Sequence, residues 1–327
     1  MTILLKNKNF FKLYSSKRAN VDKIQLVLKM FFKKEMKMKK IAITGASGFV
    51  GQNITSMFKT QGFEVISIKR TDLNDVQKLA EIVNGCEVVI NLAGANIIHR
   101  WSESYKKLLY SSRIDTTKSL VQAMSECVVK PKLFFSTSAV GIYKNDAIYD
   151  ESTQNLADNF LANLCKEWEN EAFKASNFDI RTVIFRFGIV LGKDGGALSQ
   201  MLTPFKLGLG GTIGDGTQSF SFIHIADLLK AYKFVIDNES LSGIFNMTAP
   251  IPTTNHGLTK ALGKSLHRPT IFPIPIFVFN LIFSEGAKVL TDGQCVIPKN
   301  LLKNGFTFEF ENIEDAIENI VFTTTNS

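Results

Sequence analysis

The sequence predicts an α/β fold: a doubly wound parallel sheet with a smaller C-terminal substrate lobe. Three observations carry that expectation. Short apolar runs alternate with amphipathic helical stretches from residue 40 to about 249. One run, EVVINLA (87–93), is apolar but for Glu87 and Asn91, the character of a strand covered on both faces. The first run, KIAIT (40–44), passes straight into the turn TGASGFVG, which opens a helix.

In order, KIAIT is a strand, 48–61 a helix, EVISI (64–68) a strand and 73–83 a helix. EVVINLA is the next strand, 103–127 reads as one long helix, and KLFFSTS (132–138) is a strand. Residues 159–176 are helical, RTVIFRFGIVLG (181–192) begins as a strand, and GIFNMTA (243–249) joins the same sheet late. Segment 192–223 is rich in glycine and poor in periodicity. The run TIFPIPIFVFNLIF (270–283) is shorter than a bilayer span and holds two prolines, so it reads as substrate-side packing. A helix over 313–321 ends the chain. Three divisions follow: a basic leader (1–38), a nucleotide-binding domain (39–191 and 224–249), and a lobe (192–223 and 250–327) over the carboxyl ends of the strands.

Charge is concentrated at one end. Residues 1–40 hold 12 Lys and Arg against Asp22 and Glu35, leaving 26 basic and 28 acidic residues in the remainder. The body is nearly neutral, which removes nucleic acid as a partner suggested by net charge. The leader lacks a signal-peptide apolar region. It reads as a basic tail or an upstream start preceding Met36 or Met38; an amphipathic membrane contact is the alternative. The four cysteines form no CxxC and have no histidine at metal spacing, so no metal site is expected. They suit a reducing, cytoplasmic setting.

The turn after KIAIT makes the sheet Rossmann-type. Gly45, Gly48 and Gly51 let the chain turn sharply, approach a pyrophosphate and pack the helix close. Thr44, Ser47, Phe49 and Val50 complete the phosphate-binding bend. Spacing alone is weak evidence, because Gly208, Gly211 and Gly214 repeat it without a preceding strand. After the second strand come Lys69 and Arg70, suited to the 2′-phosphate of NADP(H). Asp72 lies close behind and leaves NAD(H) open. Leu92, Ala93 and Gly94 end the next strand on the cofactor side.

From Lys39 to about Val321 the chain resembles extended short-chain dehydrogenases/reductases, and more narrowly the atypical YfcH-like epimerase family. The stretches that carry this include INLAGANI (90–97), SSRIDTTKSLVQAM (111–124), SAVGIY (138–143), FLANLCKEWE (160–169) and RFGIVLGKDGGAL (186–198). GDGTQSFSFIHIADL (214–228) and IPKNLLKNGFTF (297–308) add to them. The resemblance implies NADP(H) binding, with Arg113 and Arg186 also on the cofactor side, and an unknown small-molecule substrate. Phe220 and Ser221 stand where sugar-nucleotide enzymes of this type carry Arg-Asp, which disfavours a diphosphate-linked sugar. A monomer or a homodimer fits the group.

The usual Tyr-x-x-x-Lys pair is absent from all 327 residues; Leu161 and Cys165 occupy its places. Candidate replacements for proton transfer are Ser138, Tyr143 and Lys166, although one helical step turns Lys166 away by about 100°. Tyr143 has a rival reading as a ring packed at the lobe interface. His224 reads as structural, Asp227 as the cap of the following helix, and Glu169 as a brace. His99, Arg100 and Trp101 either clamp a ligand or anchor their loop. Two functions remain open: an NADP(H)-dependent oxidoreductase or epimerase-like enzyme, and a catalytically silent NADP(H)-binding regulator. A link of the latter to cell division is implied only by plastid relatives.

Overall fold

Six parallel strands form the centre, in the order β2-β1-β3-β4-β6-β9. They are β1 (Lys40–Thr44), β2 (Glu64–Ile68), β3 (Val88–Asn91), β4 (Leu133–Ala139), β6 (Arg181–Phe187) and β9 (Gly243–Met247). The computed structural model describes residues 38–193 and 195–325. From residue 40 onward the described residues form one compact unit. The leader, with both readings given for it, lies outside the described residues except at 38 and 39.

The order reverses between β1 and β3, and Thr44 pairs in register with both Ile68 and Asn91. The carboxyl ends of β1, β2 and β3 therefore share one edge, where ligands bind in such sheets. Farther along, Ser138 of β4 stands beside Arg186 of β6, which stands beside Asn246 of β9. Helices cover both faces: α1 (Phe49–Thr60), α2 (Val76–Val83), α3 (Glu103–Ser111), α4 (Ile114–Glu126) and α5 (Phe160–Phe173). Ile41 and Ile43 point into one core layer, with Ile54 and Phe58 of α1. Ala42 points into the other, with Leu79, Leu120 and Met124. The period-2 alternation of β1 thus feeds two cores.

The long helix expected over 103–127 is broken at Ser112–Arg113. Ser112 Oγ accepts from the Ala95 N–H at 3.0 Å, and Arg113 turns its guanidinium to the carbonyls of Leu109 and Ala95. These outward bonds take the chain out of helical register at Arg113 (φ −110°, ψ −60°).

The region 192–223 also departs from expectation, because it contains α6 (Gly196–Lys206). Leu198, Leu202 and Phe205 are buried at helical spacing. Glycines at its entry and Pro204 inside it masked the pattern. The lobe is carried by two small parallel pairings: β7 (Ile189–Leu191) with β8 (Phe222–His224), and β5 (Ile148–Tyr149) with β10 (Cys295–Val296). Helix α7 (Ile225–Asp237) packs on the sheet, with Leu228, Ala231, Tyr232 and Val235 in the same core layer as Ile41 and Phe185. The remaining helices are α8 (Asn255–Leu266), α9 (Ile276–Phe283), α10 (Lys288–Thr291), α11 (Lys299–Lys303) and α12 (Ile313–Thr325). The run 270–283 does not pack as expected: no residue of α9 is buried. No helix among the described residues is long and apolar enough to cross a membrane.

His224 caps α7: its Nδ1 accepts from the Ala226 N–H at 3.2 Å. Asp227, expected in that role, instead accepts from the Glu309 and Phe310 N–H groups at 2.8 and 2.9 Å, pinning the C-terminal segment. The His224 ring lies 3.9 Å from that of Phe310, and burial pushes its pKa from 6.5 to about 4. As pH falls, the unfolded chain takes up this proton first. The imidazole therefore costs no stability above about 6.5, and stability drains away as pH falls towards 4. His224→Asn keeps a capping acceptor without the titration. Urea midpoints measured across this range should fall less steeply for the variant than for the natural chain.

Candidate functional site

At the β1–α1 turn the fit is set by backbone contact. Gly45 is left-handed (φ +66°), and a Cβ there would lie 2.8 Å from Leu92 O. A Cβ on Gly51 would lie 2.2 Å from Gly45 O, well inside contact distance. Only glycine allows the helix to start this close to the strand. The Gly48 N–H donates to Gly45 O at 3.0 Å, closing the bend. The start of α1 has neither a capping side chain nor an acidic residue in its first turn, so the amides of Phe49, Val50 and Gly51 are left for an anion. Ser47 is exposed at the tip of the bend. The Phe49 ring itself points away, against Gly192, Gly195 and Gly196.

Thr44 locks this turn to β3. Its hydroxyl donates to Asn91 Oδ1 at 2.7 Å and accepts from the Leu92 and Ala93 N–H groups, both at 3.1 Å. Asn91 Nδ2 donates to Thr117 of α4 at 2.9 Å, and the indole of Trp168 on α5 donates to the same oxygen. One buried chain thus fixes the ends of two strands and two helices. Gly94 lies over Arg113: a Cβ there would sit 3.1 Å from the guanidinium carbon. Arg113 has no carboxylate within 4.0 Å among the described residues, and burial holds its pKa below the usual range. It is a cation held by carbonyls beside the 92–95 loop.

At the end of β2, Asp72 is occupied. Its carboxylate accepts from the Lys69 N–H at 2.9 Å and pairs with Lys78 at 2.7 Å, and the Lys78 hydrogen bond lowers its pKa. The side chains of Lys69 and Arg70 are exposed, with no ion pair among the described residues. Two free cations and a sequestered acid therefore stand beside the cradle.

The position of the usual Tyr-x-x-x-Lys pair is filled by a different network. Leu161 packs towards Gly141, and Cys165 is buried with its thiol pushed up to about 11 by desolvation. Four residues farther along α5, Glu169 meets Arg186 in a bidentate pair, Nε–Oε1 at 2.8 Å and Nη2–Oε2 at 2.7 Å. Both side chains are buried. Burial opposes the charge on Arg186, but the Glu169 hydrogen bonds and charge outweigh it and hold the guanidinium above its usual pKa. Arg186 was expected on the cofactor side; its guanidinium is instead spent inside the protein, because β6 places it between Ser138 and Asn246 and opposite α5.

The candidate acids hang on this pair. Ser138 donates to Glu169 Oε1 at 2.6 Å, so its only hydrogen is committed. Arg186 Nη1 donates to the Tyr143 oxygen at 2.7 Å, and the Tyr143 hydroxyl donates to Asn246 Oδ1 at 2.9 Å. Tyr143 is buried, and desolvation raises its pKa against the opposing effect of Arg186. It cannot reach a ligand without breaking this network. Lys166 lies elsewhere, with Nζ donating to Ala157 O at 2.7 Å and to Asn163 at 3.2 Å. Ser138, Tyr143 and Arg186 are therefore brought together, and Lys166 is not.

The sequence alone did not expose Asn246 and Glu151 as members of the site. Glu151 accepts from the Asn246 and Asn300 N–H groups, tying β9 to α11. The available signal was Arg186 in mid-strand, a charge that needed a buried carboxylate, with Glu169 one and two helical turns beyond Cys165 and Leu161 on the same face. His99, Arg100 and Trp101 anchor their loop: Arg100 donates to Leu281 O and the Trp101 indole to Ile97 O. Ser221 accepts from the Val296 N–H and donates to Gln294 O, while Phe220 packs beside Phe222. Among the described residues no group of side chains could hold a metal ion.

Residues 41–247 match the family model described as NAD dependent epimerase/dehydratase. The chain belongs to the NAD-dependent epimerase/dehydratase family. Within it, the chain is an atypical extended short-chain dehydrogenase/reductase. Residues 274–320 match a further domain of unknown function, DUF1731. The epimerase family protein SH2119 of Staphylococcus haemolyticus is 36% identical over 297 residues, 87% of this chain and 99% of that one. Mouse SDR39U1 is 35% identical over 292 residues, 86% of this chain and 99% of that one. Among solved structures, human SDR39U1 (isoform 2) with NADPH superposes with a TM-score of 0.81 at 32% identity, covering 86% of this chain and 99% of that one. The bend at Gly45–Gly51 lies within the matched region, at the first strand-to-helix turn of this Rossmann-type fold.

Two variants test these parts separately. Gly51→Ala places a methyl against Gly45 O and should abolish the thermal shift given by nicotinamide coenzymes. Glu169→Ala leaves a buried cation unpaired and should cost about 3–5 kcal/mol in urea denaturation. The pair Glu169→Leu with Arg186→Leu removes both charges and should recover most of that loss.

Proposed function

We propose that the chain binds NADP(H) in preference to NAD(H) and uses it as an oxidoreductase or epimerase-like enzyme without the Tyr–Lys pair. The observation that carries the cofactor reading is the pairing at Asp72. An acid that would accept from a ribose 2′-hydroxyl is already bonded to Lys69 N–H and Lys78, while Lys69 and Arg70 are free for a phosphate. The NADPH in the human SDR39U1 structure supports the same reading. Gly45, Gly48 and Gly51 with the first amides of α1 would hold the pyrophosphate. Bound NADP(H) would supply hydride chemistry.

The residues of this chain constrain the substrate. With its hydrogen given to Glu169, Ser138 has lone pairs to offer, so it suits a substrate hydroxyl better than a carbonyl oxygen. Such a hydroxyl would have Glu169 one hydrogen bond behind it as proton acceptor. Phe220 offers no charge to a diphosphate, which disfavours a sugar nucleotide.

A second reading rests on a specific observation: the Ser138 and Tyr143 hydroxyls are both committed to internal partners. A protein so arranged can bind the coenzyme and report its presence without turnover. Coenzyme reduction at 340 nm, assayed with NADP+ and a panel of small alcohols, separates the two. Turnover that Ser138→Ala abolishes supports the enzyme; coenzyme binding with no turnover supports the silent regulator.

The cofactor preference has its own test. Arg70→Ala should weaken NADPH binding by about 10–100-fold, a charge-assisted hydrogen bond being worth about 1.5–3 kcal/mol. NADH binding should hardly change. Equal loss for the two coenzymes in calorimetric titration would refute the 2′-phosphate argument.

A further inference from the structure

Helix α9 and the two loops beside it form an exposed apolar surface that the cofactor site does not use. Seven of the eight residues of α9 are apolar, yet none is buried. Leu207, Leu209, Ile271, Phe272, Phe277 and Leu281 are each between 68% and 75% exposed. They form one surface because the segments are tied together. Ile274 N–H donates to Thr212 O at 2.7 Å, Gly214 N–H donates to Ile274 O at 2.9 Å, and Arg268 Nε donates to Lys206 O at 2.8 Å. The other end of α9 is held by Arg100, bonded to Leu281 O. An apolar surface of this kind on a folded chain marks an interaction site.

The charge around it selects the partner. Residues 199–214 and 254–284 contain no Asp or Glu, but carry Lys206, Lys260, Lys264 and Arg268. All four are exposed, and none makes an ion pair among the described residues. The nearest acids in sequence are Asp215 and Glu285, just beyond these stretches, and Glu285 is paired with Lys106 at 2.7 Å. A two-fold contact with a second copy would bring this cationic rim against itself. An apolar centre with a mainly basic rim instead complements a surface with acyl chains below and anionic headgroups around them.

We propose that this surface docks on an anionic phospholipid bilayer, with Phe272, Phe277 and Leu281 entering the headgroup–acyl boundary and Lys206, Lys264 and Arg268 meeting phosphates. No helix among the described residues is long and apolar enough to span the bilayer, and the proposed contact is interfacial. It lies on the lobe, so loss of cofactor binding and loss of membrane binding are separable.

The test uses the full chain, because the basic leader carries its own attraction to anionic vesicles and must be held constant. Phe277→Trp adds a reporter at an exposed point, read against the unsubstituted protein, whose Trp101 and Trp168 are buried. Phosphatidylcholine vesicles with and without phosphatidylglycerol are the probe. With the anionic lipid, the added tryptophan should shift to the blue and be quenched by brominated acyl chains; with phosphatidylcholine alone it should do neither. Lys264→Glu with Arg268→Glu should weaken the shift about tenfold in lipid concentration. Sedimentation with vesicles but no shift or quenching would mean that the leader alone binds, and overturns the proposal. A shift that follows protein concentration without lipid would identify a second copy as the occupant and overturns it equally.

Discussion

The closeness of α1 to β1 is the constraint on which the rest of the molecule depends. Gly51 lies so near Gly45 O that a single methyl would not fit, and Gly45 lies almost as near Leu92 O. Those contacts bring the uncapped start of a helix, the end of β3 and the end of β2 to one place. The hydrogen bonds of Thr44 and Asn91 then carry the arrangement to α4 and α5. The cradle is therefore a rigid feature of the fold, suited to a ligand whose charge is fixed in shape.

The second organising element is the Glu169–Arg186 pair. The resemblance implied proton-transfer groups in the neighbourhood of Ser138. That neighbourhood holds a buried ion pair that reaches from α5 through β6 to Tyr143, Asn246 and the carbonyl of Ile297. It joins the sheet to the lobe, because Asn246 and Glu151 tie β9 to the segments around Ile297 and Asn300. A buried pair of this kind contributes little net stability but strongly penalises the loss of either partner. That suits a role in fixing where the lobe closes on the sheet. Cys165 is buried beside this pair, in the place where the resemblance implies a lysine.

Much of the sheet was legible in the sequence because its inner strands, β1 and β3, are buried and write themselves as apolar runs, while the edge strand β2 shows the same β-branched bias with only Ile68 buried. KIAIT, EVISI and EVVINLA appear within two residues of where they were expected, and GIFNMTA does join the sheet beside β6. What escaped was decided by contacts distant in sequence. Ser112 and Arg113 break a helix only because Ala95 is there to be bonded. The apolar spacing in α6 was hidden by flanking glycines that pack against Phe49. Arg186 was recognised as a notable charge, but its partner lay 17 residues back on another element, and nothing local named it. Asp72 looked available for a ribose until Lys78 was seen beside it.

Isothermal calorimetry with NADPH, NADP+, NADH and NAD+ in separate titrations examines the claim that the whole reading rests on. The geometry of the Gly45–Gly51 bend and the free cations after β2 predict saturable heat with the two phosphorylated coenzymes and much weaker binding of the other two. No heat with any of the four, together with an unchanged thermal midpoint, would contradict the account at its base and leave the bend as scaffolding only.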